Sequence, residues 1–208
     1  METLRLMGVL DGYGDGTFRP DTVLNRAQFC KMAVYAMDGS GELGRYSTVT
    51  IFPDVKPSFW ASSYINMAAK KGVIAGFADG KFKPNQTVTA GQAVTILMRG
   101  LGYKDEDMGG VWPQSYMAEA QTNGLLKSTG ITSAYAGLTR AQAAKLFLNL
   151  FEAKHGKSET LLFNYNVGKD EVYLTAVDGG QGTMTAGGKT YTICLLYTSP
   201  SPRDISGS

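Results

Sequence analysis

Gly72–Ala93 reads GVIAGFADGKFKPNQTVTAGQA, and the same text stands upstream as GVLDGYGDGTFRPDTVLNRAQF from Gly8. Adding 64 carries Gly8 to Gly72, Gly16 to Gly80, Phe18 to Phe82, Pro20 to Pro84 and Gln28 to Gln92 without a gap. A degraded third copy follows. Gly124-Leu125-Leu126 echoes Gly72-Val73-Ile74 at an offset of 52, and Leu138–Ala143 (LTRAQA) echoes Val88–Ala93 (VTAGQA) at 50. The third copy has therefore lost two residues in between, and with them the GFADGKFKP pattern. Repetition at this period means one supersecondary unit used several times around a shared core.

Each copy reads as helix, turn-rich loop, helix. In the second, Phe52-Pro53-Asp54-Val55 leads in, and Trp60, Tyr64, Ile65, Ala68 and Ala69 fall on one face at helical spacing. Gly72 ends that helix behind Lys70 and Lys71, whose charges suit the carbonyl end. Gly76–Gly80 is too rich in glycine for a helix and suits a tight turn. Thr89 and Gln92 form a capping-box pattern, repeated at Asn25/Gln28 and Thr139/Gln142. Behind each box lies an apolar stripe: Phe29, Met32, Ala33 and Ala36; Ala93, Ile96 and Leu97; Ala143, Leu146, Phe147 and Leu150. Three such helices can bury their stripes against one another, and none could do so alone.

The repeated order of Phe-x-Asp, Trp, GY/F-x-DG-x-F-x-P and a Thr-x-Ala-Gln-like helix start resembles the S-layer homology domain. The resemblance covers residues 1–152. It implies a mainly α fold, a pseudo-three-fold helical bundle with Gly-rich loops. It also implies a function: non-covalent anchoring of a bacterial surface protein to pyruvylated secondary cell-wall polysaccharide on peptidoglycan. The repeats are expected at 1–37 (incomplete at its start), 52–101 and 111–152 (degenerate). Asp38–Thr50 and Gly102–Val111 read as linkers.

The remaining chain narrows the function classes. Of 208 residues, 43% are hydrophobic and 18% charged, as in a soluble globular protein. A net charge of +2 with no basic run argues against nucleic acid. No apolar run approaches the ~18 residues of a membrane span, so no membrane insertion is expected. Cys30 and Cys194 form no framework, and Cys30 reads as a small buried apolar residue. The opening METLRLMGVLDG resembles the last turns of a first-repeat helix. It is expected to be a fragment whose signal peptide and first helix lie upstream; the rival reading is a true start with an incomplete repeat. Lys154–Lys157 reads as a hinge, and 160–193 as the opening of a β-rich domain with runs at 161–167, 171–177 and 189–193. Residues 194–208 look like translated adaptor or vector sequence.

For chemistry the residues offer little beyond binding. Asp11-x-Tyr13-x-Asp15-Gly16 lacks the ligands of a calcium loop, so Asp15-Gly16 and Asp79-Gly80 read as turns, and no metal or cofactor is expected. His155 is the only histidine, no HExxH or GxSxG motif occurs, and Asp105, Glu106 and Asp107 read as a solvated charge cluster. No catalytic residue is expected, and the chain is read as a binding module, not an enzyme. Trp60 and Trp112 offer flat faces to sugar C–H groups, or serve as core anchors. Arg26 and Arg140, just inside helix starts, can meet a carboxylate bidentately, or stand exposed without a partner.

The family's ligand-contacting positions fall on Asp54, Trp60 and Gly72 in the second copy, Arg26 in the first, and Trp112, Gly124 and Arg140 in the third. The resemblance then implies one groove of Arg26 with Asp54, Trp60 and Gly72, and a second of Trp112, Gly124 and Arg140. Ala90 stands where the first copy has Arg26, so a groove depending on that arginine is expected to be weak, and Ala90→Arg to restore it. Two alternatives stay open: the repeats anchor an enzyme whose catalytic domain lies beyond this sequence, or they belong to a structural S-layer subunit that self-assembles.

Overall fold

The computed structural model describes Leu4, residues 8–37 and 43–153, and the backbone alone of 154–155, 159–160, 174–178, 183–186 and 189–192. The chain divides into two compact units, 1–162 and 163–208. The first unit contains five described helices: α1 (Arg26–Met37), α2 (Ser62–Lys70), α3 (Ala90–Gly100), α4 (Gln114–Thr122) and α5 (Arg140–Glu152).

The helix boundaries follow local chemistry. Thr89 and Thr139 accept from the N–H of Gln92 and Gln142, whose side chains return the bond to the cap's own N–H. Asn25 and Gln28 exchange the same pair of bonds at 2.8 and 2.9 Å. All three expected boxes are thus formed, each satisfying helix-start donors that would otherwise lack partners. At the other end of the unit, α2 stops at Gly72, whose φ of +71° suits a residue without Cβ. The N–H of Val73 reaches back to the Ala68 carbonyl at 2.9 Å and that of Gly72 to Ala69 at 3.0 Å, a Schellman closure. The helical Leu4 accepts from Val9 in the equivalent way, with Gly8 at φ +67°.

The three capped helices supply the core. Every residue of the three predicted stripes is buried, and the rings of Phe29 and Phe147 meet at 5.4 Å between centroids. Around this core α1 packs on α2 and α3 on α4, so the second helix of one copy meets the first helix of the next. Cys30 is fully buried and makes no disulfide.

The copies are tied together by backbone. Leu24 donates to the carbonyl of Leu138, Leu138 to Val88 and Val88 to Leu24, at 2.9, 2.9 and 3.0 Å. These three residues occupy one position of the repeat, all are buried, and their bonds close a ring. Just outside it, the first two amides of each capped helix take carbonyls from another copy's loop. Arg26 and Ala27 bond to Gln86 and Pro84, Ala90 and Gly91 to Ala136 and Ala134, and Arg140 and Ala141 to Thr22 and Pro20. Foreign carbonyls thereby satisfy the helix-start donors that the caps leave over.

Two sequence expectations change. Helical spacing puts Trp60 on the apolar face of the first helix, but α2 begins at Ser62 and the fully buried Ala61 takes the inward place. The supposed hinge is partly paired, because Lys154–His155 forms a short antiparallel ladder with Glu159–Thr160. Residues 156–158 lie outside the described residues. The second unit contains a meander of Leu174–Asp178, Thr183–Ala186 and Lys189–Thr192, in that order and antiparallel. The expected run at 161–167 and the tail at 194–208 fall outside the described residues. Among the described residues no helix is long and apolar enough to cross a membrane.

Removing the ring of Phe147, fully buried against Phe29, leaves a cavity at the meeting point of two copies. Phe147→Ala is expected to lower unfolding free energy by about 3–5 kcal/mol, measured by urea denaturation. An unchanged midpoint would contradict this packing.

Candidate functional site

Arg26 shows what the repeats build between them. It lies at the first position of α1, only 5% exposed, yet its side chain reaches into the second copy. Nε donates to the Phe82 carbonyl at 2.7 Å and one terminal nitrogen to Ala75 at 3.5 Å. The guanidinium stacks at 4.6 Å from Phe77 and 4.4 Å from Phe82. Burial pulls its pKa down to about 10, against the influence of Cys30 and Asp54, so it stays charged at neutral pH.

Arg140 repeats this arrangement in full. It is 8% exposed, donates to Phe18 at 2.9 Å and Asp11 at 2.6 Å, and lies over Tyr13 and Phe18 at 4.8 and 5.0 Å. Each acceptor and ring matches its counterpart at an offset of 64. Both arginines are thus clasps on the GY/F-x-DG-x-F-x-P loop of a neighbouring copy, not exposed charges. Neither makes an ion pair among the described residues.

Asp54 braces the same loop from the other side. Its carboxylate accepts from the N–H of Phe82 at 2.9 Å and of Lys83 at 2.7 Å, where the backbone turns through φ +56°. Asp15 and Asp79 serve the turns: Asp15 accepts from Thr17 and pairs with Arg19, Asp79 accepts from Lys81 and pairs with Lys83. Hydrogen bonds from Thr17 and from Lys83 hold the respective carboxyls below the usual range.

A cavity of about 420 Å³ opens beside Arg26. The second copy contributes Ile74–Phe77 and the α3 face of Gln92, Thr95, Ile96 and Arg99; the third contributes Trp112, Ser115 and Tyr116. Asp105, Met108 and Gly110 complete it from the connector. Trp112 is 50% exposed, with its indole N–H donating to the Thr95 hydroxyl at 3.0 Å. One edge is thus fixed while half the residue remains available. Trp60 is 54% exposed and leans on Phe59. Core anchoring is therefore excluded for both tryptophans.

The grouping differs from that inferred from the sequence. The cavity joins Arg26 to Trp112, and Asp54, Trp60, Gly72, Gly124 and Arg140 do not line it. Gly72 and Gly124 are left-handed residues just past helix ends, at φ +71° and +86°. Sequence reasoning missed Thr95, Arg99, Asp105 and Tyr116. Asp105 is exposed, as its place in a charge cluster suggests, but it is not unpaired: Arg99 donates to both its oxygens at 2.9 and 2.7 Å, and the Tyr116 hydroxyl donates to it as well. These bonds, led by that from Tyr116, lower the Asp105 pKa. Burial opposes the Arg99 charge, but Asp105 and Tyr116 outweigh it and raise its pKa.

Residues 2–30 and 51–94 match the S-layer homology domain. The chain is similar to this domain over those two segments. It is 32% identical over 151 residues to the middle cell wall protein of Brevibacillus brevis, covering 72% of this chain and 14% of that protein. It is 32% identical over 129 residues to the surface layer protein of Brevibacillus choshinensis, covering 61% and 11%. A cellulosome-anchoring protein of Acetivibrio thermocellus is 32% identical over 91 residues, covering 43% and 20%. The chain thus spans a fifth or less of these relatives, which are surface, wall and anchoring proteins. The matched segments fall in the first two copies and contain Arg26, Asp54, Trp60 and Gly72, with the loop that Arg26 clasps.

The clasp reverses one expectation. Position 90 faces the third copy, whose loop has lost the two aromatic rings that receive the guanidinium elsewhere, and Ala90 is 2% exposed. An arginine there would bury a charge without the aromatic stack that receives Arg26 and Arg140. Ala90→Arg is expected to cost on the order of 3 kcal/mol of stability in thermal or urea unfolding, without creating a binding site. A stable variant with raised ligand stoichiometry would refute this. The buried Cys30 thiol, pushed up to about 12 by burial despite Arg26, is expected to resist iodoacetamide at pH 8 until the chain unfolds, as read by peptide mapping. Alkylation at that position in the native protein would contradict its burial.

Proposed function

We propose that the three copies form one pseudo-three-fold bundle, the third being a degenerate S-layer homology repeat. Its task is to anchor a cell-surface protein, without covalent bonds, to pyruvylated secondary cell-wall polysaccharide on peptidoglycan. The module works outside the cell, at the wall or S-layer, and carries no chemistry of its own.

The observation that carries this reading is Arg26. Its guanidinium lines a cavity, keeps its charge at neutral pH, and has no carboxylate partner among the described residues. Two of its nitrogens are spent on Phe82 and Ala75. Among the described residues no buried side-chain nitrogen or oxygen is left without a partner, so the other terminal nitrogen is not sealed off from solvent. A pyruvyl ketal carboxylate would complete this guanidinium. Trp112, half-exposed across the cavity, offers the flat apolar face a sugar ring needs. Arg140, with Tyr13 and Phe18, offers the same chemistry at the first copy's loop, and Trp60 is the counterpart of Trp112 at an offset of 52. Asp54, Gly72 and Gly124 act through the backbone, by bracing the loop and ending the helices that frame each groove.

The likeness to the surface layer protein favours one further reading, in which the repeats also take part in self-assembly. Light scattering with and without wall polysaccharide separates the two, because self-assembly needs no glycan.

The test is sedimentation of the chain with purified cell-wall sacculi, native or chemically stripped of pyruvyl groups. Retention on the native wall alone is expected; equal retention on both would refute the carboxylate mechanism. Arg26→Ala, checked for folding by circular dichroism, is expected to weaken binding by about 2–5 kcal/mol. Unchanged affinity would remove Arg26 from the site.

A further inference from the structure

The cavity beside Arg26 is lined by three formally charged side chains, Arg26, Arg99 and Asp105. Arg99 and Asp105 are joined at 2.9 and 2.7 Å through both oxygens, so one cation is neutralised and one is left. The pair is asymmetric in its exposure. The Arg99 side chain is 18% exposed and the Asp105 side chain 67%, which puts the carboxylate at the rim, where an incoming ligand meets it first. Tyr116, itself buried, fixes Asp105 by donating its hydroxyl to the same oxygen that faces Arg99 Nε.

The equivalent corner of the first and second copies is different. Tyr35 and Tyr64 stand in the places of Arg99 and Tyr116, at offsets of 64 and 52, and their hydroxyls meet at 3.4 Å. The ion pair is thus a particular feature of the Arg26 cavity and not of the repeat.

We propose that Asp105 is a specificity-determining residue, which masks Arg99 and restricts the cavity to singly charged carboxylate sugars against doubly charged phosphorylated ones. This rests on the reading of the cavity as a glycan site. A monoanion is met by the one unbalanced cation, Arg26. A phosphate monoester, close to two negative charges at neutral pH, must in addition approach the rim carboxylate, and repulsion there selects against it. Without Asp105 the cavity would hold two unbalanced guanidinium groups, and Arg99, released from its carboxylate, could grip phosphate bidentately.

The test is calorimetric titration of the whole chain at low salt and pH 7.5, with a hexosamine pyruvyl ketal and a hexosamine 6-phosphate as probes. The wild type is expected to prefer the ketal. Asp105→Asn, which preserves the shape and removes the charge, is expected to shift the ratio of the two affinities toward the phosphate by about ten-fold, less at high salt. Arg99→Gln, which leaves Asp105 unmasked, is expected to move the ratio the opposite way and keeps the test alive should Asp105→Asn fail to fold. A ratio unmoved by either folded variant overturns the role of Asp105 and leaves the anchoring function standing. A wild-type chain that binds neither sugar refutes the glycan site itself, and the inference with it.

Discussion

Three backbone hydrogen bonds between equivalent residues of different copies hold this structure together. The amides of Leu24, Val88 and Leu138 donate to one another's carbonyls in a closed ring at 2.9–3.0 Å, buried beneath the three capped helices. A buried backbone group must find a partner, and here the partner always belongs to another copy. Each copy therefore depends on the other two for its most buried polar groups. The helix starts extend the dependence, since their first two amides also bond to a neighbour's loop. The capping boxes act with the ring by fixing where each helix begins, so that those amides arrive in register.

The clasping arginines carry the same principle to the surface. Arg26 and Arg140 follow directly on their caps, so each is aimed across the junction at the next loop, where carbonyls and two aromatic rings receive it. Loop and arginine then form one unit built from two copies. The third copy makes this visible. It has lost the loop, and the residue that would clasp it is Ala90, not arginine. Retaining either half alone would leave a buried charge without its aromatic stack or a loop without its clasp. The second half of the loop is braced by Asp54, so the cavity wall is held from both sides before any ligand arrives.

Much of this was legible in the chain because it depends on local chemistry. Caps, stripes and the terminal glycine are short-range patterns, and Asn25/Gln28, the Phe29 and Phe147 stripes and Gly72 stand where the pattern put them. The tryptophans failed as core residues because Ala61, one position on, fills the inward place and leaves Trp60 outside. The pairing of Arg26 with Trp112 was not legible at all. It depends on which copies become neighbours, and the offsets identify equivalent residues without saying which of them meet. The pairing of Asp105 was hidden for the same reason: its exposure follows from its place in a connector, but only the fold brings Arg99 and Tyr116 to it.

The closed ring is tested most directly by native-state hydrogen exchange at the amides of Leu24, Val88 and Leu138. If the copies hold one another, these three amides share a single protection factor, equal to that of global unfolding, and lose it together in mild denaturant. If one of the three exchanges early while the other two remain protected, the copies fold as separate units, and a site built across their junctions loses its foundation.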